Sequence, residues 1–253
     1  MSKAGGAIKK AIQDEQLKSP EVLIIEQKLN SLFLVPRHTK EVRRGLHASA
    51  IIASPSSYCI REQVLSLLFE RNKEENLPIG LLRIFEEGNC IHEKWQTMFE
   101  RAGIARGIED RGYSALFDLY MTPDAVVEIN KRLYVVEIKS ANTFSFKHMK
   151  DSHPSGTKQL QLYMHFLCIP RGFVLAEDKN TQDFKIFPVH YEPGQAKPFV
   201  ERLYDIKAAK ERFEDEGVLP VRLCNSATCK RAEGCAMSDA CFGRNKKRLP
   251  KAR

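Results

Sequence analysis

Three residues carry the most distinctive chemistry in this chain: Asp124, which follows Pro123, and Glu137 and Lys139, which flank Ile138. Glu137 and Lys139 are two apart, so on a strand both side chains leave the same face. Val136 and Ile138 then face the other way, into apolar packing. A carboxylate and an ammonium beside Tyr134-Val135-Val136 must hydrogen-bond each other or share an ion. If Asp124 ends the neighbouring strand of a hairpin, it approaches Glu137 across the pair. Two carboxylates on one hard divalent cation are what metal-assisted phosphodiester hydrolysis uses. The lysine would orient or deprotonate the attacking water, or neutralise charge on the scissile phosphate. The plain alternative is a surface hairpin with an ordinary Glu–Lys ion pair.

The second chemical feature is sulfur. Of seven cysteines, Cys224, Cys229, Cys235 and Cys241 fall within eighteen residues. An odd count without a secretory leader argues against a disulfide framework. Their spacing suits a metal, although the tight C-x2-C knuckles preferred by structural zinc are missing. Cys90 and Cys168 read as buried small hydrophobes on apolar helix faces.

Stepping along the chain, helical spacing covers Pro20–Leu34, through Val22, Leu23, Ile25, Leu29, Leu32 and Phe33. Ser54-Pro55-Ser56-Ser57 reads as the start of a helix through Ile60, Val64, Leu67 and Leu68, with Cys59 in its first turn. From Gly80 to Ala102 an apolar stripe includes Leu81, Ile84, Phe85, Gly88, Ile91, Trp95, Met98 and Phe99, with His92 at its edge. The period then shortens. Ala115–Met121, Ala125–Ile129 and Leu133–Ile138 read as strands, the last two joined by an Asn130-Lys131 hairpin turn. Lys158–Cys168 returns to helical spacing. Phe173–Ala176 and Phe184–Val189 read as strands around a Glu177–Gln182 turn. Ala196–Glu216 reads as a long charged helix with Phe199, Leu203, Ile206, Ala209 and Phe213 on one side. Helices, a strand meander and more helices make a mixed α/β chain.

At 253 residues the chain is long enough to bury a core without staples. Its 43% apolar and 28% charged residues exclude wholesale disorder, collagen-like repeats and a coiled-coil rod. Forty Lys and Arg against thirty-two Asp and Glu give +8, which favours an anionic partner, nucleic acid being the commonest. Lys40–Arg44 and Arg244–Arg248 are basic runs that serve as solvated faces or phosphate contacts. No apolar run approaches the ~18 residues of a membrane span. The first ten residues lack the apolar stretch of a secretory signal, so a cytoplasmic chain is expected.

In order, Cys59-x-Arg61 after its serines, Gly88-x-x-x-His92-Glu93, Pro123-Asp124, Glu137-Ile138-Lys139, Gln159-x-x-x-Tyr163 and Cys235-x5-Cys241-Phe242 form a pattern. It resembles the RecB-type nucleases of the PD-(D/E)XK superfamily. The likeness is to their iron–sulfur branch, with the AddB nuclease domain, the CRISPR adaptation exonucleases and phage-encoded relatives, and it runs from Ser49 to Phe242. The resemblance implies an α/β restriction-endonuclease-like core: a central mixed sheet flanked by helices, with a C-terminal cysteine-rich segment. Residues 1–45 would be a helical extension, 46–220 the core, and 221–253 the cysteine-rich segment with its basic tail. It further implies His92, Asp124, Glu137 and the Ile138 backbone carbonyl as ligands of Mg2+ or Mn2+. Lys139 would be the catalytic lysine, with Gln159 and Tyr163 supporting it and the DNA backbone. Gln161 competes with Gln159 in register, while Glu93, His153 and His165 receive no role.

A [4Fe-4S] cluster would take one thiolate from Cys59 and three from beyond the core. Cys59, Cys224, Cys235 and Cys241 are the favoured set, with Cys229 as rival, because the family spaces its first two C-terminal cysteines more closely; zinc is the alternative. The implied activity is a metal-dependent deoxyribonuclease, an exonuclease rather than an endonuclease, acting on single strands or DNA ends. It would serve recombination, replication or repair in a bacterial or phage-infected cytoplasm. DNA is the implied partner, alongside further copies of the chain or recombination and replication proteins. Two other readings stand beside it. One is an inactive nuclease-fold DNA-binding accessory module; the other, a zinc-bound RNA-binding protein, rests on the cysteines and the charge alone.

Overall fold

The computed structural model describes residues 20–34, 45–69, 78–151 and 153–243. The basic runs around Arg43-Arg44 and Arg244–Arg248 lie outside these residues. The chain divides into two compact units, one of residues 1–41 with 75–87, the other of residues 42–74 with 88–253. In the first, helix α1 (Pro20–Leu34) forms where helical spacing predicts it. Its Leu23, Ile24, Ile25, Leu29 and Leu32 are exposed. Arg83 donates to the Asn30 side-chain oxygen.

The second unit is a mixed α/β domain with two sheets. A small one has the order β1-β4-β3, from Leu46–His47, Leu119–Met121 and Gly112–Ser114; β1 and β4 are parallel, β3 and β4 antiparallel. The main sheet runs β2-β5-β6-β7-β8: Ala105–Ile108, Ala125–Ile129, Arg132–Ala141, Arg171–Asp178 and Phe184–His190. All its pairs are antiparallel except β6 with β7. A parallel pair needs a crossover, and the chain supplies it as α5 (Thr143–His148) and α6 (Pro154–Leu167). The remaining helices are α2 (Ala48–Ile51), α3 (Ile60–Leu68), α4 (Ile79–Arg101), α7 (Pro193–Glu216), α8 (Lys230–Glu233) and α9 (Ser238–Cys241). Among the described residues no helix is long and apolar enough to cross a membrane.

Central strand β6 sets the rest. Residues Val135 to Ile138 are all buried, the mark of a strand covered on both faces. Val135 joins Leu160, Val174, Phe187 and Leu203 on one side of the sheet. Val136 and Ile138 join Ile91, Phe99, Val127 and Leu175 on the other. Each such side chain contributes roughly 1.5–3 kcal/mol on leaving water. The β5–β6 hairpin closes at Asn130-Lys131, both at positive φ (51° and 61°), the backbone a tight two-residue turn demands. On the other side β7 comes very close. A Cβ on Gly172 would lie 2.6 Å from the Val135 carbonyl oxygen, so glycine alone fits there.

Several expectations are corrected. The expected strand meander is split between the sheets, with β4 in the small one and the β5–β6 hairpin in the main one. Strand β4 covers only the end of Ala115–Met121, since the chain turns at Asp118 with φ 50°. Strands β2 and β3 were not anticipated. In α4, Ile91 and Phe99 are buried while Ile84, Phe85 and Met98 are half exposed. Met98 stands about 100° round the helix from Phe99, and Ile84 and Phe85 precede Gly88, in the first unit. Cys59 caps α3 from an extended conformation rather than lying in its first turn. Cys90 and Cys168 are exposed, not buried. Cys168 is the left-handed C-cap of α6 (φ 55°), where the chain turns outward.

Candidate active site

Asp124 stands one residue before β5. Since Ala125 pairs with Val136, the next step of the ladder brings Asp124 opposite Glu137. The approach is through the backbone: the Ile138 N–H donates to Asp124 Oδ2 at 2.6 Å. The other oxygen, Oδ1, lies 3.2 Å from His92 Nδ1 on α4. Helix α4 passes close over β6 here, where a Cβ on Gly88 would reach 3.8 Å from Ser140 Oγ.

Glu137 and Lys139 leave the same face of β6 and form an ion pair, Lys139 Nζ donating to Glu137 Oε1. Lys139 is partly open to solvent, whereas Glu137 is only 2% exposed. Helix α6 braces the lysine. Lys139 Nζ lies 3.4 Å from Gln159 Oε1, Gln159 Nε2 donates to the Tyr163 hydroxyl at 2.9 Å, and that hydroxyl donates to the Thr122 carbonyl at 3.1 Å. The competition between Gln159 and Gln161 is resolved by geometry. Gln161 is buried elsewhere, donating to the His190 carbonyl and accepting from the Glu192 N–H.

Among the carboxylates and the lysine of this site one buried atom is left over: Glu137 Oε2 has no hydrogen-bond partner, one of six such side-chain atoms among the described residues. Burial, then the charge of Asp124, push the Glu137 carboxyl up to about 8, even with Lys139 and His92 pulling the other way. His92 shows the opposing balance. Burial disfavours its cation, yet the hydrogen bond and charge of Asp124, with Glu137 behind, outweigh it and hold the ring above its ordinary pKa. A cation placed between these groups would stabilise both carboxylates. In this arrangement the side chains are paired with each other. Among the described residues, no three carboxylate, imidazole or thiolate groups gather round one point as a closed ligand set.

His153 was assigned no role, yet it borders this site. It caps α6, its Nδ1 accepting from the Gly156 N–H at 3.2 Å. Burial and the nearby Lys139 charge depress its pKa. The available signal was Pro154, since proline favours the first helical position and so marks His153 as the cap. His165 is structural, with Nδ1 2.7 Å from the Tyr191 hydroxyl. Tyr163 has its pKa raised by burial first and by the Glu137 charge second.

A second feature is a cavity lined by cysteines. Cys59, Cys224, Cys235 and Cys241 all line one cavity of about 420 Å3, together with Arg61, Arg222, Lys230 and Arg231. Cys229 does not line it; its sulfur accepts from the Ala232 N–H and caps α8. That bond, ahead of one with Cys224, lowers the Cys229 pKa. Burial pushes the Cys235 thiol up to about 11. The segment is fixed to the core by Leu65, Phe69, Met237 and Ala240 and by Arg61 Nη1 donating to the Pro220 carbonyl at 2.6 Å.

The sequence matches no protein-family model, and no curated protein resembles it in sequence. Solved structures do resemble it. SSO0001 is similar over 88% of this chain and 98% of its own, with TM-score 0.50 and 15% identity. An alkaline exonuclease from Laribacter hongkongensis, LHK-Exo, is similar over 67% of this chain and 91% of its own, with TM-score 0.49 and 16% identity. Its complex with dAMP gives TM-score 0.47 and 16% identity over 66% and 88%. The likeness to SSO0001 is one of fold.

Proposed function

We propose that the chain is a metal-dependent deoxyribonuclease of the PD-(D/E)XK kind, an exonuclease acting on single strands or DNA ends. One observation carries this reading: a buried carboxylate with an unpartnered oxygen, Glu137, beside Asp124 and an ion-paired lysine. A structural ion pair has no need of a second carboxylate at the same point, and an orphaned oxygen there costs free energy unless a ligand meets it. The donor set is two carboxylates, an imidazole and a backbone carbonyl, which suits Mg2+ or Mn2+. His92, Asp124, Glu137 and the Ile138 carbonyl would hold the ion, which supplies Lewis-acid polarisation of the phosphate and a more acidic water.

The chain's own residues do the rest. The Ile138 N–H fixes Asp124 through Oδ2, and Oδ1 faces His92, the other side chain proposed to hold the ion. Lys139, held by Gln159 and through it by Tyr163, presents its ammonium to the attacking water or to a phosphate oxygen. There it offsets the charge that develops as the phosphodiester is attacked. DNA is the partner on this reading, and Lys and Arg contacts to its phosphates make binding weaken as salt rises.

For the cysteines we infer a [4Fe-4S] cluster on Cys59, Cys224, Cys235 and Cys241, the four thiols of one cavity, with Cys229 left as a helix cap. The cationic residues that line the same cavity, Arg61, Arg222, Lys230 and Arg231, suit an anionic thiolate cluster. It would clasp the domain and take no part in hydrolysis, which moves no electrons.

The decisive experiment digests end-labelled single- and double-stranded DNA, linear and circular, with Mg2+ or Mn2+ against EDTA. Cutting of linear DNA with metal, and its loss in Asp124→Ala, Glu137→Ala and Lys139→Ala, is expected. All three variants cutting at the wild-type rate would overturn the site. Metal-independent binding without cutting would favour the accessory-module reading instead.

A further inference from the structure

The connection between β6 and β7 leaves the candidate site and returns to it. It departs two residues after Lys139, forms α5, and comes back at His153, which feels the Lys139 charge. For a six-residue helix, α5 is heavily braced. Asn142 Oδ1 caps it by accepting from the Ser145 N–H at 2.8 Å. Thr143 donates to Asp178 Oδ1 at 2.9 Å and accepts from Asn180 Nδ2 at 2.8 Å. Lys185 Nζ donates to the carbonyls of Phe146 and Met149, both at 2.8 Å, and lies over the buried Phe146 ring.

This fixed helix displays an aromatic ring to solvent. Phe144 is 74% exposed, the most open aromatic side chain among the described residues. Its ring rests on His148, centroids 4.3 Å apart and planes 40° apart. Phe144 thus forgoes the burial that Phe146 gains on the same helix. The exposed residues that follow it are mostly basic, Lys147, His148 and Lys150 against Asp151. Five residues separate Phe144 from Lys139, so their Cα atoms are at most about 18 Å apart, a few nucleotides of single strand.

We infer that Phe144, backed by His148, is a stacking platform for a nucleobase of the single strand whose phosphodiester lies at Glu137 and Lys139. Lys147 and Lys150 lie against the neighbouring phosphates. The occupant is a base because its flat face needs a rigid planar partner and tolerates any sequence, while a duplex keeps that face stacked inside. The inference rests on the nuclease reading and adds the substrate form, an unpaired strand, and the residue that grips it.

The test measures binding of a fluorescent single-stranded oligonucleotide by anisotropy in EDTA, where no cutting occurs. Phe144→Ala should raise Kd by about fivefold to a hundredfold. Phe144→Leu, apolar but not planar, should weaken binding similarly, and Phe144→Trp should keep it. An abasic residue walked along the strand should weaken wild-type binding at one position and leave Phe144→Ala insensitive there. Wild-type affinity in Phe144→Leu, or no abasic position that distinguishes the two proteins, would overturn the platform and point to a protein contact or a merely exposed ring. Failure of the nuclease reading looks different, because wild-type protein would then leave linear DNA uncut with Mg2+ or Mn2+. Phe144 variants that bind and cut normally, while Lys139→Ala is dead, overturn only the present inference.

Discussion

The Tyr163 hydroxyl joins two parts of the candidate site, so Tyr163→Phe measures how strongly they are coupled. The side chain is 3% exposed, and its hydroxyl donates to Thr122 and accepts from Gln159. Phenylalanine keeps the ring's packing and removes both bonds. Each is worth about 1 kcal/mol net, and a carbonyl left without its donor adds a desolvation cost, so the loss is about 2–3 kcal/mol. For a domain of this size each kcal/mol lowers Tm by about 2–4 °C, giving a fall of about 4–12 °C. Thr122 leads directly into Pro123-Asp124, and Gln159 touches Lys139, so cleavage should also slow, by on the order of tenfold. Thermal unfolding and end-labelled DNA digestion at saturating Mg2+ read the two effects. The double variant with Gln159→Leu should lose less than the sum of the singles, because the two residues share one bond. A Tyr163→Phe protein within about 0.5 kcal/mol of wild type and cutting at full rate would refute this coupling.

Glu137 gives a pH signature in metal-free protein. Its carboxyl is raised from 4.5 to about 8 by burial and by Asp124, so its contribution to stability is complete below pH 4.5 and is lost as pH rises to 8. Urea midpoints in EDTA should therefore fall across that window in wild type and less steeply in Glu137→Gln; parallel curves would assign the slope to other groups. If the thiol cavity holds the proposed cluster, freshly purified protein is expected to be brown, with broad absorbance near ~400 nm. Cys59→Ala should bleach and destabilise it while Cys229→Ala keeps the colour. Colourless, zinc-loaded protein with a stable Cys59→Ala variant would refute the cluster.

What was legible in the sequence was what neighbouring residues decide together. Asn130-Lys131 marks its turn locally, and the apolar run after it fixes β6, so the shared face of Glu137 and Lys139 followed. Elements that depend on distant partners were harder. Strand β2 contains Arg106 and Gly107, which break any alternation, and it exists because β5 offers it an edge. Gln159 and Gln161 are equivalent in composition and lie on opposite sides of α6. Only the positions of Lys139 and His190 tell them apart. The half exposure of Ile84, Phe85 and Met98, and the exposure of Cys90, are not carried by helical spacing, which repeats along α4 whether or not a neighbour covers it.

The seam between α3 and the cysteine-rich segment has a consequence for the order of assembly. Leu65 and Phe69 pack against Met237 and Ala240, and Arg231 Nη2 reaches the Tyr58 carbonyl at 3.4 Å across 173 residues of chain. Contacts of such high sequence separation form late, since the entropy of closing the loop is spent before they return anything. During synthesis α3 therefore waits, with Leu65 uncovered, until the segment around Met237 has left the ribosome. A chain stopped before residue 230 would hold every residue of the Asp124–Glu137–Lys139 site yet leave that seam open to aggregation.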